Sequence, residues 1–121
     1  MEDYEAIKET IFHYFEGYQT KDRARLERAF ALDVAHIMGY AKDAEGNLVL
    51  WSRPMRETID KWVSDDATLP KLEYGKILNI RILNDVAAVA EFDCAGKFLD
   101  TYQLIKLNGE WRISNKLYVD Q

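Results

Sequence analysis

Residues 98–119, FLDTYQLIKLNGEWRISNKLYV, decide the fold of this protein. At their centre, Asn108-Gly109 tolerates the positive φ angles of a tight type I′ turn, and the residues on both sides alternate in character. The stretch therefore predicts a β-hairpin in which Leu107 lies opposite Glu110.

The register of this hairpin separates an apolar face from a polar one. A two-residue turn pairs Lys106 with Trp111, Leu104 with Ile113, Tyr102 with Asn115, Asp100 with Leu117 and Phe98 with Val119. The apolar face then contains Phe98, Tyr102, Leu104, Trp111, Ile113, Leu117 and Val119, and the polar face contains Thr101, Gln103, Arg112, Ser114 and Lys116. Asp100 and Asn115 fall on the apolar face, so the sequence predicts a carboxylate in an apolar cavity.

The overall composition indicates one soluble globular domain, residues 1–121. Hydrophobic residues make up 48% of the chain, charged residues 31%, and the net charge is −5. This acidic balance argues against nucleic acid as a partner. No window approaches the roughly 18 apolar residues of a membrane span, so no membrane partner is expected. Cys94 is the only cysteine, which excludes an internal disulfide, and with no signal-peptide pattern at the start we expect a cytoplasmic location.

Three amphipathic helices are predicted before the main sheet. The first carries an apolar stripe from Tyr4 through Ile7 and Ile11 to Tyr18, with Asp3 as N-cap. The second starts near Thr20 or Asp22 and ends by Asp33, with Leu26, Ala29 and Phe30 on one face. The third follows Pro54, presents Met55, Ile59, Trp62 and Val63, and stops near Ser64.

The remaining segments read as strands. Two short strands, residues 34–40 and 48–51, flank a turn-rich connection, and residues 72–83 and 86–94 lead into the hairpin as a four-strand antiparallel meander. Two-residue turns place Glu91 opposite Asp100 and put Leu78 and Ile80 on the apolar face, although a bulge would reverse the assignments of a strand. Helices followed by a meander indicate the α+β class.

This arrangement resembles a known superfamily. Three helices and a bent sheet ending in Asp100-x-x-x-Leu104-x-Lys106-x-x-Gly109-x-Trp111-x-Ile113-x-x-Lys116 resemble the nuclear transport factor 2-like proteins. Within them the chain is most similar to the group named "putative lumazine-binding" and to polyketide-cyclase-like members. Group members usually carry His-Pro before the aspartate that ends the second helix, whereas Ala31-Leu32 precedes Asp33 here.

The resemblance implies a cone, in which a curved antiparallel sheet wraps around the N-terminal helices and leaves an apolar cavity at the wide end. It also implies a homodimer formed through the sheet faces. Ketosteroid isomerases, scytalone dehydratases and polyketide cyclases share this cone, while other members only bind or scaffold. The fold alone therefore does not decide the function.

Asp100 and Glu91 are the first candidates for catalysis. Two carboxylates held together in a poorly solvated site cannot both ionise at low cost, so such a pair can act as acid and base near neutral pH. Tyr14 or Tyr102 would supply a phenol, as a tyrosine does in ketosteroid isomerase. Alternatively, Asp100 only accepts hydrogen bonds in the core, as buried polar groups must.

His36 is the histidine nearest the predicted core and a candidate general base, if its position in the strand turns it inward. A structural, hydrogen-bonded histidine is the alternative. With histidines only at positions 13 and 36, no metal site is expected, and the chain has no glycine-rich phosphate loop, so no cofactor is expected.

Aromatic and methionine side chains supply the expected walls of a cavity for a small apolar or planar ligand. With Asn115 they form this predicted ligand-binding set: Tyr14, Tyr18, Met38, Trp51, Met55, Trp62, Tyr102 and Trp111. The same side chains also serve as ordinary core. The leading hypothesis is a small-molecule-binding protein; the alternatives are a cofactor-free isomerase, dehydratase or cyclase that uses Asp100 with His36 or Tyr14, and a dimeric assembly module without a ligand.

Overall fold

The computed structural model describes residues 2–121, so Met1, the first residue of the predicted domain, lies outside the described residues. Its elements are α1 (Asp3–Thr20), α2 (Arg23–Ala29), β1 (His36–Lys42), β2 (Leu48–Pro54), α3 (Met55–Trp62), β3 (Gly75–Asn84), β4 (Ala87–Cys94), β5 (Phe98–Leu107) and β6 (Glu110–Asp120). Three helices and a sheet that is mostly C-terminal to them confirm the predicted α+β class.

The strands form one six-stranded sheet in the order β2-β1-β6-β5-β4-β3. Strands β1 and β6 pair in parallel, and every other pair is antiparallel. Helix α1 packs against both β6 and β3, although β5 and β4 separate these two strands in the sheet. The sheet must therefore curve around α1, which confirms the curved sheet wrapped on the N-terminal helices.

The apolar stripe of α1 forms the centre of the core. Ile7 and Ile11 are fully buried and Tyr14 is almost so, while Tyr4 at the start of the predicted stripe is half exposed. Each such aliphatic or aromatic side chain contributes about 1.5–3 kcal/mol by leaving water. The stripe thereby fixes which side of α1 faces the concave side of the sheet.

The predicted starts of α1 and α2 have different outcomes. Asp22 precedes α2 and accepts a hydrogen bond from the Arg25 backbone N–H, as an N-cap does. Asp3 is instead the first residue of α1, and its carboxylate accepts hydrogen bonds from the Trp111 indole at 3.0 Å and from Lys106 at 2.9 Å. Helix α2 ends at Ala29, before the predicted limit, because Phe30 forms a parallel bridge with Ile113 of β6.

The β5–β6 turn confirms the predicted hairpin. Asn108 and Gly109 have φ angles of 51° and 79°, and Leu107 pairs with Glu110. The predicted register holds as far as Leu104 opposite Ile113, but the next pair is Gln103 with Asn115. Ser114 is thus an extra residue that reverses the facing of the rest of β6.

A second one-residue shift occurs between β4 and β5. Cys94 pairs with Phe98, so Lys97 belongs to the turn with Ala95 and Gly96, whose φ angles are positive. The prediction that Glu91 lies opposite Asp100 is wrong, because Phe92 occupies that position.

Strand β3 contains bulges of its own. The pairing jumps from Ile77 to Asn79, which leaves Leu78 outside the regular ladder and about half exposed, contrary to prediction. Ile80 pairs with Ala90 and packs against the core, as predicted.

Candidate functional site

A cavity of about 160 Å³ lies between the helices and the concave face of the sheet. Helices α1 and α3, the connection between α3 and β3, and every strand except β3 contribute to it, since its lining residues are Tyr14, Tyr18, Ile37, Trp51, Trp62, Leu72, Cys94, Phe98, Asp100, Lys116 and Tyr118. Six of these side chains are aromatic, while Asp100 and Lys116 are the charged members of this lining. The cavity is therefore an aromatic chamber with one carboxylate and one ammonium group.

Asp100 is the third residue of β5 and is 1% exposed. Its inward orientation is confirmed, because the neighbouring Thr101 and Gln103 are exposed on the opposite face. The Oδ2 atom accepts hydrogen bonds from the Tyr102 hydroxyl at 2.8 Å and from Cys94 Sγ at 3.3 Å. Both donors point from the same concave face, so the protein satisfies this oxygen without solvent.

Lys116 reaches the cavity because of the β6 bulge. Its Nζ lies 3.3 Å from Asp100 Oδ1, and its side chain is only 5% exposed. The ammonium also lies 5.2 Å from the ring centre of Tyr14 and 5.1 Å from that of Tyr118, within the range of cation–π attraction. A buried cation is thus compensated by one carboxylate and two aromatic faces.

Tyr14 and Tyr18 line the same chamber. Burial, reinforced by the nearby Asp100, raises the pKa of Tyr14 well above its usual value. Burial also raises the pKa of Tyr18 to about 12. Both groups therefore stay protonated and can donate hydrogen bonds throughout the neutral and mildly alkaline range.

Trp51 and Tyr118 form one wall. The Trp51 indole donates a hydrogen bond to the Tyr118 hydroxyl at 3.2 Å, and the Tyr118 ring meets the edge of Phe98 with a centroid separation of 5.7 Å. Gly39 lies behind this ring, and a Cβ at that position would overlap it. The absence of a side chain at Gly39 therefore makes room for the wall.

Trp62 and Leu72, which lies in the connection between α3 and β3, form a further part of the lining. The rings of Trp62 and Tyr18 meet edge to face at 4.8 Å. The Gln19 side chain donates to the Leu72 carbonyl, and Lys21 Nζ donates to the Ser64 carbonyl at 3.0 Å. Side chains from the end of α1 thus fix a segment that has no regular secondary structure.

Cys94 is buried and belongs to the lining of the cavity. Burial, together with the Asp100 carboxylate, raises the pKa of its thiol far above the usual value. A thiol of this kind is a weak nucleophile at neutral pH.

The structure separates the predicted ligand-binding residues into three groups. Tyr14, Tyr18, Trp51 and Trp62 line the cavity. Met55, Tyr102 and Trp111 are buried in the core and do not line it, although Tyr102 contacts Asp100. Met38 and Asn115 lie on the outer face of the sheet, so their predicted inward orientation is wrong. Because Ser114 is an extra residue in β6, the Asn115 side chain faces outward and the Lys116 side chain faces the cavity.

Two of the predicted catalytic residues also lie outside the cavity. Glu91 is exposed on the outer face because the three-residue turn reversed β4. His36 is exposed as well, and its Nδ1 lies 3.1 Å from the Ser52 hydroxyl. Ile37, the next residue, faces the cavity instead.

The predicted lining did not include Lys116, Tyr118, Cys94, Ile37 or Leu72, and Phe98 was placed on the apolar face without a role in binding. For Lys116 and Tyr118 the only available indication was the possibility of a bulge, which no local residue marks.

Within residues 2–121, no three His, Cys, Asp or Glu side chains converge in a way that could hold a metal ion. Nor is any helix in that range long and apolar enough to cross a membrane.

Comparisons with known proteins agree with this architecture. The model of the family described as "Putative lumazine-binding" matches residues 2–119. An NTF2-like protein of unknown function from Shewanella baltica is 30% identical, with 96% of this chain and 91% of that chain covered and a TM-score of 0.74. NTF2 stands for nuclear transport factor 2.

Two further structures extend the comparison. An NTF2-like protein of unknown function from Methylobacillus flagellatus is 26% identical over 98% of this chain and 92% of its own, with a TM-score of 0.76. A ketosteroid isomerase-like protein from Erwinia carotovora atroseptica is 12% identical over 95% and 93%, with a TM-score of 0.67, and shows the shared fold alone. Among curated proteins, none matches the chain significantly.

Proposed function

The chain belongs to the "Putative lumazine-binding" family of the nuclear transport factor 2-like superfamily, and from this premise we propose that it is a small-molecule-binding protein. The ligand is a flat or apolar molecule held in the aromatic chamber. We also propose a cytoplasmic location, since a reducing compartment suits the single free thiol of Cys94.

The observation that carries the proposal is the ion pair of Asp100 and Lys116 on the lining of an apolar cavity. A buried ion pair is poor evidence of a stability device, because the loss of hydration commonly equals or exceeds the attraction between the charges. Here the pair borders an open space instead of being sealed in packed core. Polar groups that converge on an apolar cavity are the usual means of orienting a ligand.

The size of the cavity supports a compact ligand. A cavity of roughly 150 Å³ is enough to hold benzene, and this cavity has about 160 Å³. Lumazine, which the family description names, has two fused rings, so a widening of the chamber would be needed to admit it. We therefore propose a ligand of about one ring.

The three tryptophans allow a direct test. Trp51 and Trp62 line the cavity, whereas Trp111 is buried elsewhere and its indole donates to Asp3. We expect single-ring compounds, screened together with lumazine, to shift the indole N–H resonances of Trp51 and Trp62 in NMR spectra and to leave Trp111 unchanged. If no screened compound shifts the Trp51 and Trp62 resonances, or if all three resonances shift equally, binding in this cavity is contradicted.

A cofactor-free acid–base enzyme is the second candidate, and one observation favours it. The Tyr14 hydroxyl shares the cavity with Asp100 and stays protonated, so it could donate to a substrate carbonyl oxygen while the carboxylate takes an adjacent proton. The expected activity is the isomerase, dehydratase or cyclase type.

The geometry gives this second candidate less support than simple binding. Both Asp100 oxygens already accept hydrogen bonds, and neither His36 nor Glu91 reaches the cavity. Exchange of the methyl protons of acetophenone with D₂O, followed by proton NMR, tests the chemistry. Exchange accelerated by the wild type but not by Asp100→Asn would establish it, and equal rates with and without protein would exclude it for this ketone.

A dimeric assembly module without a ligand is the third candidate. The outer face of the sheet carries Val89, Thr101 and Leu117, and the Leu117 side chain is 37% exposed. Such a face suits a second copy of the chain, and the homodimer proposed here is compatible with ligand binding on the concave side.

A further inference from the structure

We propose that the cavity selects an uncharged, acceptor-rich ligand, a compact flat molecule whose carbonyl oxygen binds the ammonium of Lys116. This inference rests on the small-molecule-binding function proposed above and names the chemical class of its ligand. It follows from the hydrogen-bonding capacity, the charge and the shape of the chamber.

The side chains of the lining offer more free donors than acceptors. Asp100 is the only carboxylate among them, and Tyr102, Cys94 and Lys116 already donate to it. An ammonium group has three N–H donors, and Lys116 uses one of them within the described part of the chain. A ligand must therefore bring acceptors to this end of the cavity.

The tyrosine hydroxyls add to the excess of free hydrogen-bond donors over acceptors. Within residues 2–121, neither Tyr14 nor Tyr18 hydrogen-bonds another residue through its hydroxyl, and both side chains line the cavity. The Tyr118 hydroxyl accepts a hydrogen bond from Trp51, which leaves its own proton to be donated. Three phenols and one ammonium thus present protons to the chamber.

The charge of the chamber favours a neutral molecule. Asp100 and Lys116 together carry no net charge, whether or not a proton passes between them. An anionic or cationic ligand would bring an uncompensated charge into surroundings of aromatic rings, which is costly. A cation would also find both carboxylate oxygens occupied. A carbonyl oxygen accepts the free N–H groups without adding charge.

A set of four single-ring compounds separates these properties. Acetophenone is neutral with a carbonyl acceptor, benzoate is an anion, benzamidine is a cation, and ethylbenzene is neutral without an acceptor. We expect acetophenone to bind at least about tenfold more tightly than each of the others, the order of one net hydrogen bond. Dissociation constants come from the Trp51 and Trp62 indole resonances, with Trp111 as internal reference.

Two variants locate the donors. In Tyr14→Phe the ring and its packing remain, and we expect about a fivefold weaker binding of acetophenone but an unchanged affinity for ethylbenzene. In the double variant Lys116→Met with Asp100→Asn the cavity stays uncharged, and we expect acetophenone to bind about fivefold more weakly than to the wild type, with an unchanged affinity for ethylbenzene. Tyr40→Phe, on an exposed residue, serves as matched control. If the double variant does not fold, the affinities of Tyr14→Phe alone test the assignment of the donors.

The outcomes distinguish this inference from the function on which it rests. If none of the four compounds binds, the proposed single-ring binding function fails and the inference fails with it. If benzoate, benzamidine or ethylbenzene binds as tightly as acetophenone, the binding function stands and the ligand class is wrong. An unchanged preference for acetophenone in both variants would also overturn the assignment to Lys116 and Tyr14.

Discussion

The ammonium of Lys116 lies 3.3 Å from the Asp100 carboxylate, and both side chains are almost completely excluded from solvent. The pair joins the two strands of the C-terminal hairpin at the cavity. Because it is buried, removal of one partner leaves the other charge without compensation.

We expect Asp100→Asn and Lys116→Met to destabilise the protein by about 3–5 kcal/mol each, since each leaves a buried charge unpaired. The double variant should cost much less than the sum, because no charge remains and the new asparagine side chain can still accept the Tyr102 hydrogen bond. Urea unfolding of the four proteins measures the coupling. Additive losses would mean that the two groups do not compensate each other.

Gly39→Ala should destabilise the protein by about 1–3 kcal/mol, because the added methyl group overlaps the Tyr118 ring and forces it to move. The displaced ring should also alter the fluorescence of Trp51, which is hydrogen-bonded to it. In a Tyr118→Ala background the same substitution should cost little. An equal cost in both backgrounds would place the strain elsewhere.

His13 should make stability depend on pH. Burial, followed by the charges of Arg25 and Arg28, lowers its pKa below the usual value of 6.5. The unfolded chain therefore takes up the proton first as the pH falls, so the contribution of the neutral histidine is present above pH 6.5 and is lost as the pH falls through the folded pKa. Unfolding free energies at a series of pH values from about 7.5 to 5 test this.

The control for His13 is the exposed His36. We expect His13→Gln to flatten the decline in stability towards acid pH and His36→Gln to leave it unchanged. A stability that rises on acidification, or a decline that His13→Gln does not alter, would contradict the burial of a neutral imidazole.

Cys94 should react slowly with a disulfide reagent such as DTNB at about pH 8. Its thiol is buried beside Asp100 and its pKa is raised, so little thiolate is available. Reaction should become fast when the protein is unfolded in guanidinium chloride. Rapid modification of the folded protein would show that the cavity opens to the reagent.

The proposed homodimer should depend on the outer face of the sheet. Leu117→Lys introduces a charge where the β6 bulge exposes an apolar side chain. We expect the variant to elute as a monomer in size-exclusion chromatography with light scattering, at a concentration where the wild type is a dimer. Arg112→Lys on the same strand is a conservative control. A wild type that is monomeric at high concentration would exclude the proposal.

Much of the fold was predictable because its elements carry local patterns. The Ile7–Ile11–Tyr14 stripe, the helix start near Asp22 and the Asn108-Gly109 turn each depend on a few neighbouring residues, and the structure contains all three. The site was predictable only in part. Asp100 was placed correctly because side chains alternate without interruption along β5, whereas Glu91 and Asn115 lie beyond an irregularity.

The sequence by itself determined the α+β class, the C-terminal hairpin and the burial of a carboxylate at Asp100. Only the tertiary structure decided that Lys116, and not Glu91 or Asn115, is the polar partner of Asp100. The physical reason is that strand side chains alternate with a period of two, so one extra residue reverses every later one. Ser114 and Lys97 are such residues, and their irregular places are set by the packing of the whole curved sheet rather than by their neighbours in sequence.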